Sequence, residues 1–363
     1  MDSDVKALLS LLRIALHQQK EKIDSGVNWQ RVNRIALNQG VRGIAFEGLD
    51  FLIRNNAIEN VPSQDYLLKW FGQSLLVEQK YNQHKKHAIE FSILLKKNGI
   101  KTLVFKGLAH SRYYPKPYYR EFGDFDCYLI DEHGFSAYKK GNRIAKENGY
   151  IVDDSWYKHS KISFKNLTIE NHRYITSARR GGTDELLNRY LIKNISISCK
   201  LEKLAGTDIY VLPIEAEGLF MLYHSLGHFL AENINIRHFI DWACWLEANQ
   251  SKIQWTIFYA QCKHFRLDSF VDVLNTIAVK YLGVELHDKT IFSDSSYAER
   301  TIESCIYNES LEYTHKKGHW YERFRVIKNA SKHYWKYRDV AHYSMIVYMW
   351  QFVYGLIRKQ EEN

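Results

Sequence analysis

Apolar positions recur every three or four residues from Val5 to Lys97, a spacing that predicts helix. LLSLLRIAL carries the pattern first, and VNRIALNQGVRGIAFEGLDFLI repeats it. Between Gln64 and Lys97 the chain is dense in Leu, Lys and Gln, with no Gly or Pro after Gly72. One long helix is expected there, stopping at the helix-ending pair Asn98-Gly99. The period then changes. Residues 100–105 (IKTLVF) form a short β-rich run closed by Lys106-Gly107. A brief helical run, LAHSRYY, leads to PKPYYREFG, which holds two of the four prolines. DFDCYLI (124–130) then reads as a strand and 136–150 as a helix ending at Gly149. KISFKN and LTIENHRYI read as two further strands, paired as a hairpin around Lys165-Asn166. From Pro213 the helical period returns in EAEGLFMLYHSLGHFL, HFIDWACWLEA and WTIFYAQCKHF.

These elements predict an α+β (mixed α/β) protein with a small mixed sheet and helices. The expected organisation is a helical segment over 1–97, an α/β core over 98–205 and a helical domain over 206–363. Composition narrows the class. At 45% hydrophobic and 25% charged residues the chain can bury a core, which excludes wholesale disorder. Its five cysteines are odd in number, widely spaced and without a CxxC pair, so neither a disulfide framework nor a cysteine zinc site is expected. The acidic, amphipathic start MDSDVKALLSLLRIALHQQ is unlike a secretory signal. The most apolar stretch, 345–357, is shorter than the ~20 residues of a spanning helix. A cytoplasmic protein without a membrane span is the expectation. The formal charge of +9 turns attention to anionic partners, among them nucleoside triphosphates and nucleic acid.

Asp124 and Asp126 stand two apart at the start of a predicted strand, so both side chains face the same way. Adjacent carboxylates repel unless a cation lies between them, and hard oxygen ligands suit Mg²⁺ or Mn²⁺. Acid pairs at strand starts are also common without a metal. Glu170 and His172 share a face of their own predicted strand. If that strand runs beside the first, three carboxylates converge, enough for two ions about 4 Å apart. Lys106-Gly107 could seat a phosphate at a helix start, or be a plain turn. Arg120, four residues before Asp124, could reach a phosphate or be a surface Arg paired with Glu121.

ISISCKL (195–201) is rejected as a third carboxylate strand because serines stand where acids are required. His224 and His228 share a helix face at i, i+4 but have no evident third ligand. Arg237 and Asp241, also i, i+4, read as a helix-supporting or packing pair. The run from Lys316 to Arg338 interleaves cations with aromatics, which fits either nucleic-acid stacking or a solvated basic face.

In order, GIKTLVFKGLAHSRYYPKPYYREFGDFDCYLI resembles the signature of an uncharacterised bacterial nucleotidyltransferase family, related to the DNA polymerase β-like nucleotidyltransferase superfamily. TIENHRYI looks like its later Glu-x-His strand, and HSLGHFLAENINIRHFIDWACWL is similar to its helical segment with His, Arg and Asp. The resemblance implies Asp124 and Asp126 as the metal-binding pair, with Glu170 as the third carboxylate. It sets Lys106 and Gly107 in the nucleotide-binding loop, where the superfamily usually carries Gly-Ser. It further implies Mg²⁺ or Mn²⁺ and an NTP, with a small molecule, RNA or a protein as acceptor. Two rival expectations are a catalytically degenerate nucleotide- or RNA-binding protein on this fold, and a toxin-like or regulatory nucleotidylation of tRNA or a protein.

Overall fold

The computed structural model describes residues 1–177, 182–197, 201–231, 233–287, 293–307, 333–342, 344–347 and 350. The basic aromatic run from Lys316 lies outside them as far as 332, and so do Cys199 and most of the apolar stretch 345–357. The chain divides into two compact units. One is built on Met1–Glu78, Tyr113–Pro115 and Leu219–Met345, the other on Gln79–Arg112 and Lys116–Gly218.

The first unit is helical. It begins with α1 (Ser3–His17), α2 (Trp29–Asn38) and α3 (Arg42–Arg54). Asp2 caps α1, accepting the Val5 amide at 3.0 Å and so satisfying one of the unpaired N–H groups of the first turn. The apolar stripe of α1, including Leu8, Leu11 and Leu12, is buried as its spacing predicts. Asp4 in the same turn is also buried, and it accepts from the Asn28 amide at 2.8 Å and Arg31 at 2.8 Å. Next comes α4 (Gln64–Lys96), a single helix of 33 residues that passes from this unit into the second.

The second unit carries the sheet. In chain order it holds β1 (Lys101–Val104), α5 (Leu108–Ser111), a 3₁₀ turn at Pro117–Tyr119 and β2 (Asp124–Ile130). Then follow α6 (Tyr138–Glu147), β3 (Ile151–Asp153), β4 (His159–Phe164), β5 (Leu167–His172), α7 (Gly182–Ile197) and β6 (Ile209–Val211). The sheet order is β3-β4-β5-β2-β1-β6. β2–β5 and β1–β6 are parallel pairs, and the other three are antiparallel.

The mixed α/β class agrees with the pattern read from the sequence. The expected hairpin is β4–β5, its turn at Lys165 with φ +56°. β3 and β6 were not expected, and β4 begins two residues earlier than its pattern indicated. Residues 195–197, taken as the start of a rejected strand, end α7 instead.

One face of the sheet is apolar. Val104, Phe125, Cys127, Leu129, Ile162 and Ile169 join Phe91 and Leu95 of α4 and Ile144 of α6 in a single buried cluster. Asn171 anchors this side, donating to Asn142 of α6 at 2.8 Å and to the Tyr138 carbonyl at 3.0 Å. The Ser160 hydroxyl donates to the same Asn142 at 2.6 Å, so β4 and β5 are fixed to one helix. Strand alternation turns the neighbours of these residues to the opposite face.

The helical unit continues through α8 (Ile214–Ala231), which starts in the sheet unit, then α9 (Ile236–Asn249), α10 (Trp255–His264), α11 (Asp268–Leu282) and α12 (Ala298–Tyr307). Buried Trp242 stacks on Trp245 and donates its indole N–H to Asn275 at 2.9 Å. A buried indole needs such a partner. The described cysteines, Cys127, Cys244, Cys262 and Cys305, are free and buried. No described helix is long and apolar enough to cross a membrane.

Candidate active site

The parallel pairing of β2 with β5 sets Asp126 directly beside Glu170 and Asp124 beside Thr168. Asp124 and Asp126 therefore share a sheet face with Glu170 and His172. The ligand atoms of Asp124, Asp126 and Glu170 lie within 4.8 Å of one another. Lys106, just past the end of β1, reaches in from the other side, its Nζ 2.5 Å from Asp126 Oδ1. The same oxygen lies 3.0 Å from His172 Nε2, while His172 Nδ1 is 3.2 Å from the Tyr174 carbonyl. Five groups far apart in sequence thus meet on one patch.

Their charges are unequally balanced. Burial alone would raise the Asp126 carboxyl, but the Lys106 ammonium and the His172 hydrogen bond hold it well below the usual carboxylate range. Lys106 shows the converse. Burial works against its charge, yet Asp126, with Asp124 and Glu170 behind it, keeps the ammonium above its ordinary value. Asp124 is the uncompensated member. Burial and the neighbouring Asp126 charge push its carboxyl up to about 6, with Lys106 only partly offsetting them. Three carboxylates around one ammonium leave net negative charge, which is the electrostatic demand a divalent cation meets.

Gly107 follows Lys106 with φ +53° and ψ −98°, a conformation that L side chains rarely adopt. A Cβ there would stand 3.0 Å from the Phe122 Cβ. Phe122 has little room to give, because Tyr81 and His84 of α4 pack edge-on against its ring, each at 5.5 Å. His84 Nδ1 is also 3.1 Å from the Phe122 carbonyl. The loop after Lys106 is therefore bare of side chain at one position and buttressed by the long helix behind it. Arg120 is buried rather than a surface residue, and its guanidinium donates to the Glu121 carbonyl. Earlier in the chain, Arg112 forks onto Glu217 at 3.0 and 2.6 Å. Glu217 has no exposed surface, so this pairing ties the end of α5 to the first turn of α8.

One residue beside the triad escaped the sequence reading. His159, at the start of β4, pairs in register with His172, and its Nε2 is 3.4 Å from Glu170 Oε1. Burial and the neighbouring His172 push its imidazole down to about 4. A usable signal was present: the turn at Lys165-Asn166 fixes the hairpin register, and counting back from His172 arrives at His159.

In the helical unit, His224 and His228 gain a neighbour in His238 of α9, with ring centroids 4.5, 5.8 and 6.0 Å apart. Among the described residues, the groups whose ligating atoms converge within 4.8 Å are Asp124–Asp126–Glu170 and His159–Glu170–His172, so this trio is outside that range. Asp241 accepts the Tyr114 hydroxyl at 2.8 Å.

Comparison with known proteins follows the same line. The chain belongs to the family described as uncharacterised nucleotidyltransferase, which it matches over residues 25–283. No curated protein and no solved structure matches it.

Proposed function

We propose that this nucleotidyltransferase family member transfers a nucleotidyl group from an NTP to an acceptor in a divalent-metal-dependent reaction. The observation that carries the reading is the β2–β5 register, which gathers Asp124, Asp126 and Glu170 into one ligand group. The donor set fits a hard cation, since it is all carboxylate and one member is held up at about 6 by burial and by the Asp126 charge beside it. Asp124 and Asp126 would hold Mg²⁺ or Mn²⁺, with Glu170 completing the set. When bound, such ions neutralise phosphate charge and orient the reacting oxygens.

The chain's own groups do the rest. The acceptor oxygen attacks the α-phosphorus as the bond to the β-phosphate oxygen breaks, and pyrophosphate leaves. The acceptor's proton passes to solvent through the carboxylate cluster, where Glu170 orients the hydroxyl. Lys106 offers a point charge to the departing phosphates, and Gly107 leaves backbone N–H groups open to them. Arg120 and His172 are the remaining candidates for nucleotide contact. The acceptor belongs to one of three classes, a small molecule, an RNA or a protein side chain. The retention of all three carboxylates favours turnover over nucleotide or RNA binding alone, because carboxylates without a metal repel polyanions. Cytoplasmic NTP pools would supply the donor.

Calorimetric titration of ATP, GTP, CTP and UTP with Mg²⁺ tests the reading on wild type and an Asp124→Asn/Asp126→Asn variant. Mg²⁺-dependent binding of at least one NTP, lost in the variant, is the expected outcome. No binding of any NTP to wild type, with Mn²⁺ also tried, overturns it.

A further inference from the structure

The two flanks of Glu170 differ in chemistry. Toward β2 its neighbours are carboxylates, whereas toward β4 they are imidazoles. His159, Glu170 and His172 present one ligating atom each within 4.8 Å of one another. This group shares Glu170 with the three-carboxylate set and touches it again through His172 Nε2, 3.0 Å from Asp126 Oδ1. Each Glu170 oxygen faces an imidazole, with His159 Nε2 3.4 Å from Oε1 and His172 Nε2 3.6 Å from Oε2.

Those spacings are informative. A charge-assisted N–H···O bond closes to about 2.7–2.9 Å, so neither pair is a good hydrogen bond. Two ligand atoms on a tetrahedral ion with bonds of about 2.0–2.1 Å stand about 3.3–3.4 Å apart. The His159–Glu170 gap matches that edge length and the His172–Glu170 gap is slightly longer. His172 Nε2, now 3.0 Å from Asp126 Oδ1, would exchange that contact for the ion. A second observation concerns His159 itself. Its Nδ1 is buried without a hydrogen-bond partner among the described residues. The ring nitrogen turned toward the carboxylate is Nε2, 3.4 Å from Glu170 Oε1. Its ring stands 4.9 Å from that of His172, centroid to centroid, with 54° between the planes, so the two imidazoles approach the carboxylate from different directions.

We propose that His159, Glu170 and His172 form a nitrogen-containing site for a divalent transition-metal ion of the zinc class, sharing Glu170 with the oxygen-only position at Asp124 and Asp126. Imidazole suits Zn²⁺ and its neighbours in the first transition row, while Mg²⁺ prefers oxygen ligands. The protein would then carry two unlike ion positions bridged by one carboxylate. This refines the metal-dependent reading above, but its evidence is the histidine geometry rather than the reaction.

Co²⁺ is the probe, because its visible absorption reports ligand type and geometry. Untagged full-length protein is stripped with chelator and titrated with Co²⁺ under a large excess of Mg²⁺. Wild type should bind about one Co²⁺ with a visible band that Mg²⁺ does not displace. His159→Gln should lose the band and weaken Co²⁺ binding by about 10- to 100-fold, while Asp124→Asn and His228→Gln keep both. A band and affinity unchanged in His159→Gln overturn the proposal. Should that variant fail to fold, anomalous diffraction from Co²⁺-soaked wild-type crystals decides, since a peak at His159–Glu170–His172 supports the site and a peak only elsewhere removes it. Mg²⁺–NTP binding without a nitrogen-bound Co²⁺ defeats this inference alone. Nitrogen-bound Co²⁺ without NTP binding leaves it standing and defeats the nucleotidyl-transfer reading.

Discussion

Replacing Asp124 by Asn should make the metal-free protein more stable while removing the metal affinity proposed for the residue. In the folded chain the Asp124 carboxyl is held at about 6, against an ordinary 3.8, first by burial and then by the Asp126 charge. A gap of about two units corresponds to about 3 kcal/mol at full strength. Because the side chain is partly open to water, about 1–2 kcal/mol is the realistic figure. The sign follows from proton binding. Between pH 3.8 and about 6 the folded state holds this proton more tightly than the unfolded chain, so stability falls as pH rises through that window. Above it the ionised carboxylate imposes its full cost. Urea unfolding in chelator at pH 7.5 should therefore find Asp124→Asn about 1–2 kcal/mol more stable than wild type, with the gain gone by pH 4. Saturating Mg²⁺ should reverse the order, since an ion at 100-fold its Kd adds about 2.7 kcal/mol to wild type and little to the variant. An Asp124→Asn protein no more stable than wild type in chelator at pH 7.5 would refute the electrostatic argument.

Lys106→Met removes the ammonium 2.5 Å from Asp126 and leaves a buried carboxylate with His172 as its remaining close partner. It should cost about 3 kcal/mol in chelator, with part recovered on adding Mg²⁺, as read by urea unfolding. Gly48→Ala would drive a Cβ to 2.0 Å from the Leu11 carbonyl oxygen, where α3 crosses α1 on backbone atoms. A loss of about 1–3 kcal/mol is expected, visible as a lowered Tm. Asp272 on α11 is pushed up to about 6, by burial and then by Asp268. Asp272→Asn should add about 1 kcal/mol at pH 7.5, after allowance for its exposure, and nothing at pH 4, so equal unfolding curves at both pH values would count against it.

What the sequence disclosed, and what it hid, follows from the range of each interaction. The long helix α4 and the β4–β5 hairpin are written in local periodicity, and both could be read directly. The Asp124–Asp126 spacing declared its shared face for the same reason, and only the strand partner had to be supposed. β3 and β6 are three residues each, too short for alternation to show, and β6 is defined by pairing with a strand more than a hundred residues earlier. Arg120 reads equally as a phosphate contact or a surface cation because sequence pattern carries no information on its burial, whereas the structure encloses it. His159 was hidden by a two-residue error in where β4 starts, which in a strand decides whether a residue belongs to the sheet at all.

The place of β6 also bears on how the chain is made. β1 and β2 can pair once Ile130 has been synthesised, and β5 can join β2 some forty residues later. The free edge of β1 stays uncovered until Ile209–Val211 emerge, so for roughly eighty residues of synthesis it offers unpaired N–H and C=O groups. Strand pairing across such a separation is slow. The nascent chain is thus most open to mispairing after the Asp124–Asp126–Glu170 face is assembled and before its sheet is closed. Any fragment intended to fold alone should extend past Val211.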